Sequence, residues 1–392
     1  MGNERTESQG HLGKSVSATA TDTLPRCWAE IDLGAIRANA QAATRASRCG
    51  VIGIIKANAY GLGAVEVGKA LQNTVEMFGV ANVMEALELR KARIRTPILI
   101  LGTCQPTERP LVVRNRFVPC ISSLTEARAW SALTQQMDTP CLDVHVAVDT
   151  GMGRAGFPLA EWTPTTIRAL QKLKNIRIDG LCSHFPSADE DPEFTLRQIQ
   201  RFSEVSALGL SLGLNPAKVH LGNSAGALGF PELQEVSNFV RPGLMLYGVS
   251  PLAEMQHALR PVLSWKTRII LIRDLPKGHG VSYGRTHITR KPTRVATLAV
   301  GYADGFPRNL SGQSASVLIR GQRCPILGRI TMDQTMVDVT DLPAKVGDET
   351  VLIGKQGREE ILISEVAQKA GTIPWEILTR LSARVQRFHK ES

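Results

Sequence analysis

The sequence offers no paired cysteines, no long apolar run and few tyrosines. Seven cysteines stand far apart at positions 27, 49, 104, 120, 141, 182 and 324, with no Cys-x-x-Cys among them. An odd, scattered set argues against a disulfide framework and against structural zinc, so no metal is expected and a reducing, cytoplasmic setting fits best. No apolar run nears the roughly 20 residues of a membrane span, which excludes a membrane protein of the helical kind. The first 25 residues are rich in Ser, Thr and Gly and lack an apolar signal core. They open on Met-Gly-Asn-Glu-Arg-Thr, which formally fits a myristoylation pattern. Patterns this short arise by chance, and residues 1–25 read as a disordered tail. No Gly-x-Gly-x-x-Gly follows the first apolar run, which weighs against a doubly wound dinucleotide fold.

Charge is present but uneven. Residues 1–258 carry 25 Lys+Arg against 24 Asp+Glu, whereas residues 259–392 carry 21 against 12. A basic third on a neutral body fits nucleic acid, a site for small anions, or a solvated face. That third has no basic run interleaved with aromatics and no recognised nucleic-acid module, so nucleic acid is not an expected partner.

Between residues 50 and 250, short apolar runs alternate with amphipathic stretches. The runs are Val51–Ile55, Met77–Val80, Pro97–Leu101, Phe117–Ile121, Leu142–Val148, Ile178–Ser183, Lys218–Leu221 and Phe239–Tyr247. Most are apolar throughout, as strands buried on both faces are. Their starts lie roughly 20 to 40 residues apart, the length of a βα unit. Eight such units predict an α/β fold, a (β/α)8 barrel over residues 26–258. After Pro261 the runs Ser264–Ile272, Arg294–Val300, Ala315–Ile319, Gln334–Val339 and Glu349–Ile353 are separated by turn signals. Residues 259–392 therefore read as a mostly antiparallel β domain closed by a helix, Ser364–Ala370.

Working residues of such a barrel sit where strands end. The first strand ends at Lys56, in Lys-Ala-Asn-Ala-Tyr60-Gly. A buried lysine is costly unless paired or used, and its sharpest use is a Schiff base to a carbonyl. Taken alone, a salt-bridged strand-end lysine explains it better. The fifth strand ends in Asp149-Thr-Gly-Met-Gly-Arg154, whose glycines let the backbone approach a ligand and whose arginine can fork onto a carboxylate or phenolic oxygen. The sixth ends at His184, the seventh gives His220-Leu-Gly-Asn223-Ser224, and the eighth gives Arg241-Pro-Gly243-Leu244. Small, amide-exposing residues after strands seven and eight mark the recurrent phosphate site of this barrel.

Five stretches in order resemble alanine racemase and its close amino-acid racemase relatives. They are Lys-Ala-Asn-Ala-Tyr-Gly at 56–61, Asp-Thr-Gly-Met-Gly-Arg at 149–154, Val-Ser-Tyr-Gly at 281–284, Gly-Tyr-Ala-Asp-Gly at 301–305 and Gly-Arg-Ile-Thr-Met-Asp-Gln at 328–334. The resemblance implies pyridoxal 5'-phosphate, a small amino-acid substrate and a homodimer whose subunits share their active sites. It implies that Lys56 carries the cofactor and serves as one base, with Tyr283 of the partner subunit as the base on the opposite face. By the same resemblance Tyr60, Asn223, Ser224, Gly243 and Leu244 surround the phosphate, His184 packs on the ring, and Arg241 faces the ring nitrogen with His220 behind it. Arg154 would reach the phenolic oxygen or the substrate carboxylate. Met332 and Asp333 would meet the substrate, and Tyr302 and Arg329 would line the partner side of the entrance. Three of the four tyrosines, 60, 283 and 302, fall on these positions.

The sequence departs from the family pattern in three places. Ala147 stands where many members have a carbamylated lysine that holds the arginine, so a chloride, a water or another side chain is expected beside Arg154. Ala383 replaces a tyrosine before Arg-Val, which predicts a wider pocket that takes serine or larger side chains. Leu62 replaces a histidine, for which apolar packing is the simple reading. Two other functions remain. A decarboxylase of the same plan needs a thiol in the second domain, for which Cys324 is the candidate. A non-catalytic cofactor-binding protein would lack residues 259–392.

Overall fold

The computed structural model describes residues 25–392, so the expected tail, Pro25 apart, lies outside the described residues. Eight parallel strands close a barrel: Gly50–Ile54, Met77–Val80, Ile98–Ile100, Val118–Ile121, Leu142–Asp149, Ile176–Cys182, Lys218–His220 and Phe239–Val240. The ring closes where Phe239–Val240 pairs with both Gly50–Ile54 and Lys218–His220. Met77–Val80 and Ile98–Ile100 are buried at every residue, the signature of strands covered on both faces. Five of the helices between them begin on side-chain caps. Asn82, Ser123, Thr163, Asp191 and Asn223 each accept a backbone N–H of the following turn.

The eighth strand is much shorter than the apolar run Phe239–Tyr247 suggests. Pro242 has no N–H for the ladder, and the chain turns at Gly243 into a 3₁₀ segment, Leu244–Tyr247. That turn, rather than a longer strand, places backbone amides at the barrel mouth.

The second sheet is mostly antiparallel and built around one long strand, Leu263–Leu275. It pairs antiparallel with Glu349–Gln356, Thr293–Leu298 and Cys27–Asp32. Cys27–Asp32 thus lies in this sheet, where it also pairs in parallel with Gln386–Lys390. Glu30 ties the three strands together through Lys266 at 3.2 Å and through Lys390. The expected closing helix is Ile363–Ala370, and a second one, Pro374–Thr379, follows it. This second helix rests on the barrel mouth: a Cβ on Gly61 would lie 2.6 Å from the Leu378 carbonyl oxygen.

Candidate active site

A cleft of about 920 Å³ opens at the carboxyl ends of the barrel strands, and Lys56 is half-buried in its wall. The four residues after Lys56 are left-handed, with φ between 51° and 55° at Ala57, Asn58, Ala59 and Tyr60. Each such non-glycine residue costs ~1–2 kcal/mol, and strain of this kind persists only where surrounding bonds over-determine it. Here Glu85 supplies them. One of its carboxylate oxygens accepts from the Ala57 amide at 2.8 Å and the other from Ala81 at 2.7 Å. The Asn58 side chain accepts from Ala64 at 2.8 Å, and Gly61 donates to the Ala57 carbonyl at 2.8 Å. Burial, and next the positive charge of Arg154, push the Lys56 amine below its ordinary pKa, against a smaller pull from Glu85.

The left-handed turn swings Tyr60 under the eighth strand's end. Its ring lies 4.7 Å from that of Tyr247, whose hydroxyl donates to the Ile54 carbonyl at 2.8 Å. Tyr247, the one tyrosine outside the sequence-predicted set, is a buried prop. Ser224 Oγ accepts from the amides of Gly243 at 3.0 Å and Met245 at 3.3 Å. Asn223 turns its side-chain oxygen to the Gly226 amide at 2.9 Å, capping the short helix Ser224–Gly229. With Gly226, Gly243 and Met245 taken by these side chains, the Ser224, Ala225 and Leu244 amides, which have no carbonyl within their own helices, are the ones left for an anion. Tyr60, Asn223, Ser224, Gly243 and Leu244 all line the cleft.

Arg241 is 6% exposed. Its Nη1 donates to the His220 carbonyl at 2.8 Å and to His220 Nδ1 at 2.5 Å. Its Nη2 donates to the carbonyls of Ser183 at 2.6 Å and Leu221 at 3.1 Å, and to His184 Nδ1 at 2.9 Å. Every acceptor is neutral. Burial, with Arg241 as the next cause, holds His184 and His220 well below the ordinary histidine pKa. The His184 carbonyl is fixed by Gln198 at 3.2 Å, which also reaches Thr150 at 3.2 Å and so joins strand ends five and six.

Asp149 folds the loop that carries Arg154. Its carboxylate accepts from the amides of Gly151, Met152 and Gly153 at 2.8–2.9 Å. Ala147 lines the cleft on the same strand. Among the described residues Arg154 has no acidic partner.

Tyr283, Tyr302, Arg329, Met332 and Asp333 lie outside this cleft, exposed on the second domain; Tyr283 is 71% exposed. Their three motifs are locked together. Ser282 Oγ donates to the Arg329 carbonyl at 2.5 Å, and a Cβ on Gly284 would lie 3.1 Å from the Arg329 guanidinium. The Tyr302 and Ala303 amides donate to the carbonyls of Thr331 and Met332, both at 3.0 Å. Arg384 spans Asp304 at 3.3 Å and Asp333 at 2.8 Å. Ala383, beside it, is exposed and does not line the cleft.

Sequence reasoning missed the residues that cover the cleft near Tyr60. Ile373, Trp375, Glu376 and Thr379 line it from helix Pro374–Thr379 and the residue before it. Burial pushes the Tyr60 hydroxyl up to about 12, partly opposed by the nearby Trp375 indole. Pro374 at the first helical position was the available signal, but nothing local says that this helix crosses to the other domain. Cys324 is buried in strand Gln322–Pro325, where burial pushes its thiol up to about 11.

Comparison with known proteins agrees with this geometry. Residues 31–251 match the model for the alanine racemase N-terminal domain, and residues 262–389 that for the C-terminal domain. The alanine racemase of Methylacidiphilum infernorum is 39% identical over 370 residues, covering 93% of each chain. The alanine racemase structure from D-cycloserine-producing Streptomyces lavendulae superposes with a TM-score of 0.87 at 34% identity, over 95% of this chain and 98% of that one. That from Bartonella henselae, with covalently bound pyridoxal phosphate, gives 0.84 at 30% identity over 94% and 100%. The chain belongs to the alanine racemase family.

Proposed function

We propose that this protein interconverts the L and D forms of a small amino acid, alanine foremost. Pyridoxal 5'-phosphate is held in the cleft, and a second copy of the chain completes each site. The observation that carries this reading is Lys56 beside a cup closed by a glycine. A Cβ on Gly243 would lie 2.3 Å from Tyr60 Oη, so glycine is what lets the Tyr60 hydroxyl share one cup with the eighth strand's turn and its Leu244 amide. Ser224 and Tyr60 add hydroxyls to that cup, and the donor set fits a phosphate. Lys56, Arg154 and Arg241 give the cleft the positive charge that a phosphate and a substrate carboxylate require.

When bound, the cofactor supplies the electron sink that makes the substrate's Cα–H acidic. Lys56 Nζ takes or returns the proton on one face, eased by its lowered pKa. The partner subunit's Tyr283 Oη serves the opposite face. The exposure of Tyr283, Tyr302 and Met332 supports its burial against a second copy. Arg241, with its Nη groups bonded within the protein, would present its Nε–H to the ring nitrogen and keeps its protons, because a guanidinium does not give them up. It thereby limits charge storage and transamination. Arg154 orients the phenolic oxygen or the substrate carboxylate, with a small anion or water in the space beside Ala147.

We divide the chain into a barrel, 26–258, and a β domain, 259–392, with Cys27–Asp32 lent to the second sheet. All seven cysteines are free thiols, which supports a reducing cytoplasmic setting. A buried Cys324 of raised pKa does not favour the decarboxylase. A chiral product assay with alanine, serine, lysine and arginine tests the function. D-alanine forms from L-alanine, and Lys56→Ala abolishes it; racemisation retained in that variant would overturn the mechanism.

A further inference from the structure

Behind Arg241 lies a buried line of side chains. His220 Nε2 is 2.8 Å from His145 Nδ1, and both rings are 0% exposed. His145 Nε2 is buried, has no hydrogen-bond partner among the described residues, and lies 3.9 Å from Asp179 Oδ2. Asp179 in turn accepts from Lys218 Nζ at 2.6 Å.

Two backbone features build this line. The pairing of strands five and six shifts register between Val144 and His145, so that Asp179 is the extra residue between Ile178 and Gly180. Such a bulge re-aims a side chain, here a carboxylate toward the barrel floor. A Cβ on Gly180 would lie 2.3 Å from the His145 ring, so glycine is what leaves room for the imidazole.

The proton positions follow from the arginine. A guanidinium only donates, so His220 Nδ1, which faces Arg241 Nη1, must accept. A neutral His220 then carries its proton on Nε2 and donates it to His145 Nδ1. His145 must therefore carry its proton on Nε2, the nitrogen aimed at Asp179. The opposite order would set N–H against N–H at Arg241.

We propose that Asp179, His145 and His220 form a positioning relay that fixes the orientation of Arg241. The proposal rests on the proposed function in one respect: Arg241 faces the cofactor ring. The Asp179 charge polarises each N–H in turn and makes His220 Nδ1 a better acceptor for a cation that has no carboxylate of its own. Burial supports neutral rings throughout, lowering His145 to about 3.

The test is nitrogen-15 NMR of histidine-labelled holoenzyme. His145 and His220 are expected as Nε2–H tautomers that do not titrate between about pH 6 and 9, where an unperturbed histidine would. A proton on Nδ1 of His220, or a charged His145, overturns the relay while leaving the racemase reading intact. Failure of the wild-type protein to racemise alanine sinks that reading without changing the tautomers. His145→Leu is expected to lower kcat by roughly 10- to 100-fold, the range seen when an outer partner of a functional histidine is removed, with KM nearly constant and the cofactor absorbance shifted. His145→Gln can accept from His220 and donate to Asp179, and it should restore both. Equal loss in the two variants would show packing alone and overturn the proposal. If neither variant folds, the wild-type tautomers decide.

Discussion

Gly243 stands directly against Tyr60: a Cβ at residue 243 would sit 2.3 Å from the phenol oxygen and 3.1 Å from the carbon that bears it. Its φ of −118° is not left-handed, so a positive φ is not what calls for glycine here. What it provides is space. Gly243→Ala should therefore fold normally by circular dichroism yet lose the cofactor on dialysis, read from its visible absorbance. Adding Tyr60→Phe removes the clashing oxygen and should recover part of the binding. Full cofactor retention by Gly243→Ala alone would mean that this contact does not shape the phosphate cup.

Arg154 and Lys56 are coupled by charge. The buried amine is lowered by desolvation and then by the arginine. A lowered lysine pKa means more neutral amine at neutral pH, so removing the arginine moves that pKa back up toward about 10.4. In the cofactor-free protein, Arg154→Gln should shift the pH dependence of Lys56 acylation to higher pH. With Ala147 in place of a lysine there is no amine to carbamylate. Bicarbonate should leave activity unchanged, and a bicarbonate requirement would contradict the assignment around Arg154.

The barrel was legible because buried parallel strands leave near-continuous apolar runs, and because strand ends collect the chemistry. Lys56, Arg154, His184, Ser224 and Arg241 could be placed on one cleft for that reason. Other features had no local signal. The left-handed turn of residues 57–60 contains no glycine, and it depends on Glu85, which lies one βα unit away. Trp375 sits on a short helix whose contact with the Lys56 loop is tertiary. His145 and Asp179 look like ordinary strand residues until the bulge turns the carboxylate inward. The end of the eighth strand was overestimated because Leu244–Tyr247 is as apolar as a strand but follows a proline and a glycine.

Trp375 changes the expectation raised by Ala383. The alanine is exposed and outside the lining, whereas the indole faces Tyr60 within the cleft. Side-chain size selection should therefore respond more to Trp375→Ala than to Ala383→Tyr. The tryptophan variant should gain kcat/KM for longer side chains relative to alanine, by about 10-fold or more, since one methylene in an apolar pocket is worth ~1–3 kcal/mol. Unchanged kcat/KM ratios in Trp375→Ala, with a strong change in Ala383→Tyr, would return the pocket to the original position.

Tyr283 and Lys56 belong to different surfaces of one chain, and a shared site predicts complementation between inactive variants. Lys56→Ala lacks the base of the cleft, and Tyr283→Phe lacks the base offered to the neighbour. Each alone should be nearly inactive. A co-refolded equal mixture contains hybrid dimers in which one site draws Lys56 from one subunit and Tyr283 from the other. If half of the dimers are hybrids and each has one intact site, activity should return to about a quarter of wild type, the arithmetic of a two-fold dimer with shared sites. The recovered activity should fall on dilution below the dimer dissociation range. No recovery, in a mixture shown to contain hybrids, would place both bases within one chain and leave the exposed face around Tyr283 without a catalytic role. Enantiomer dependence sharpens the result. Tyr283→Phe should impair proton exchange from one enantiomer more than from the other, because Lys56 still serves its own face.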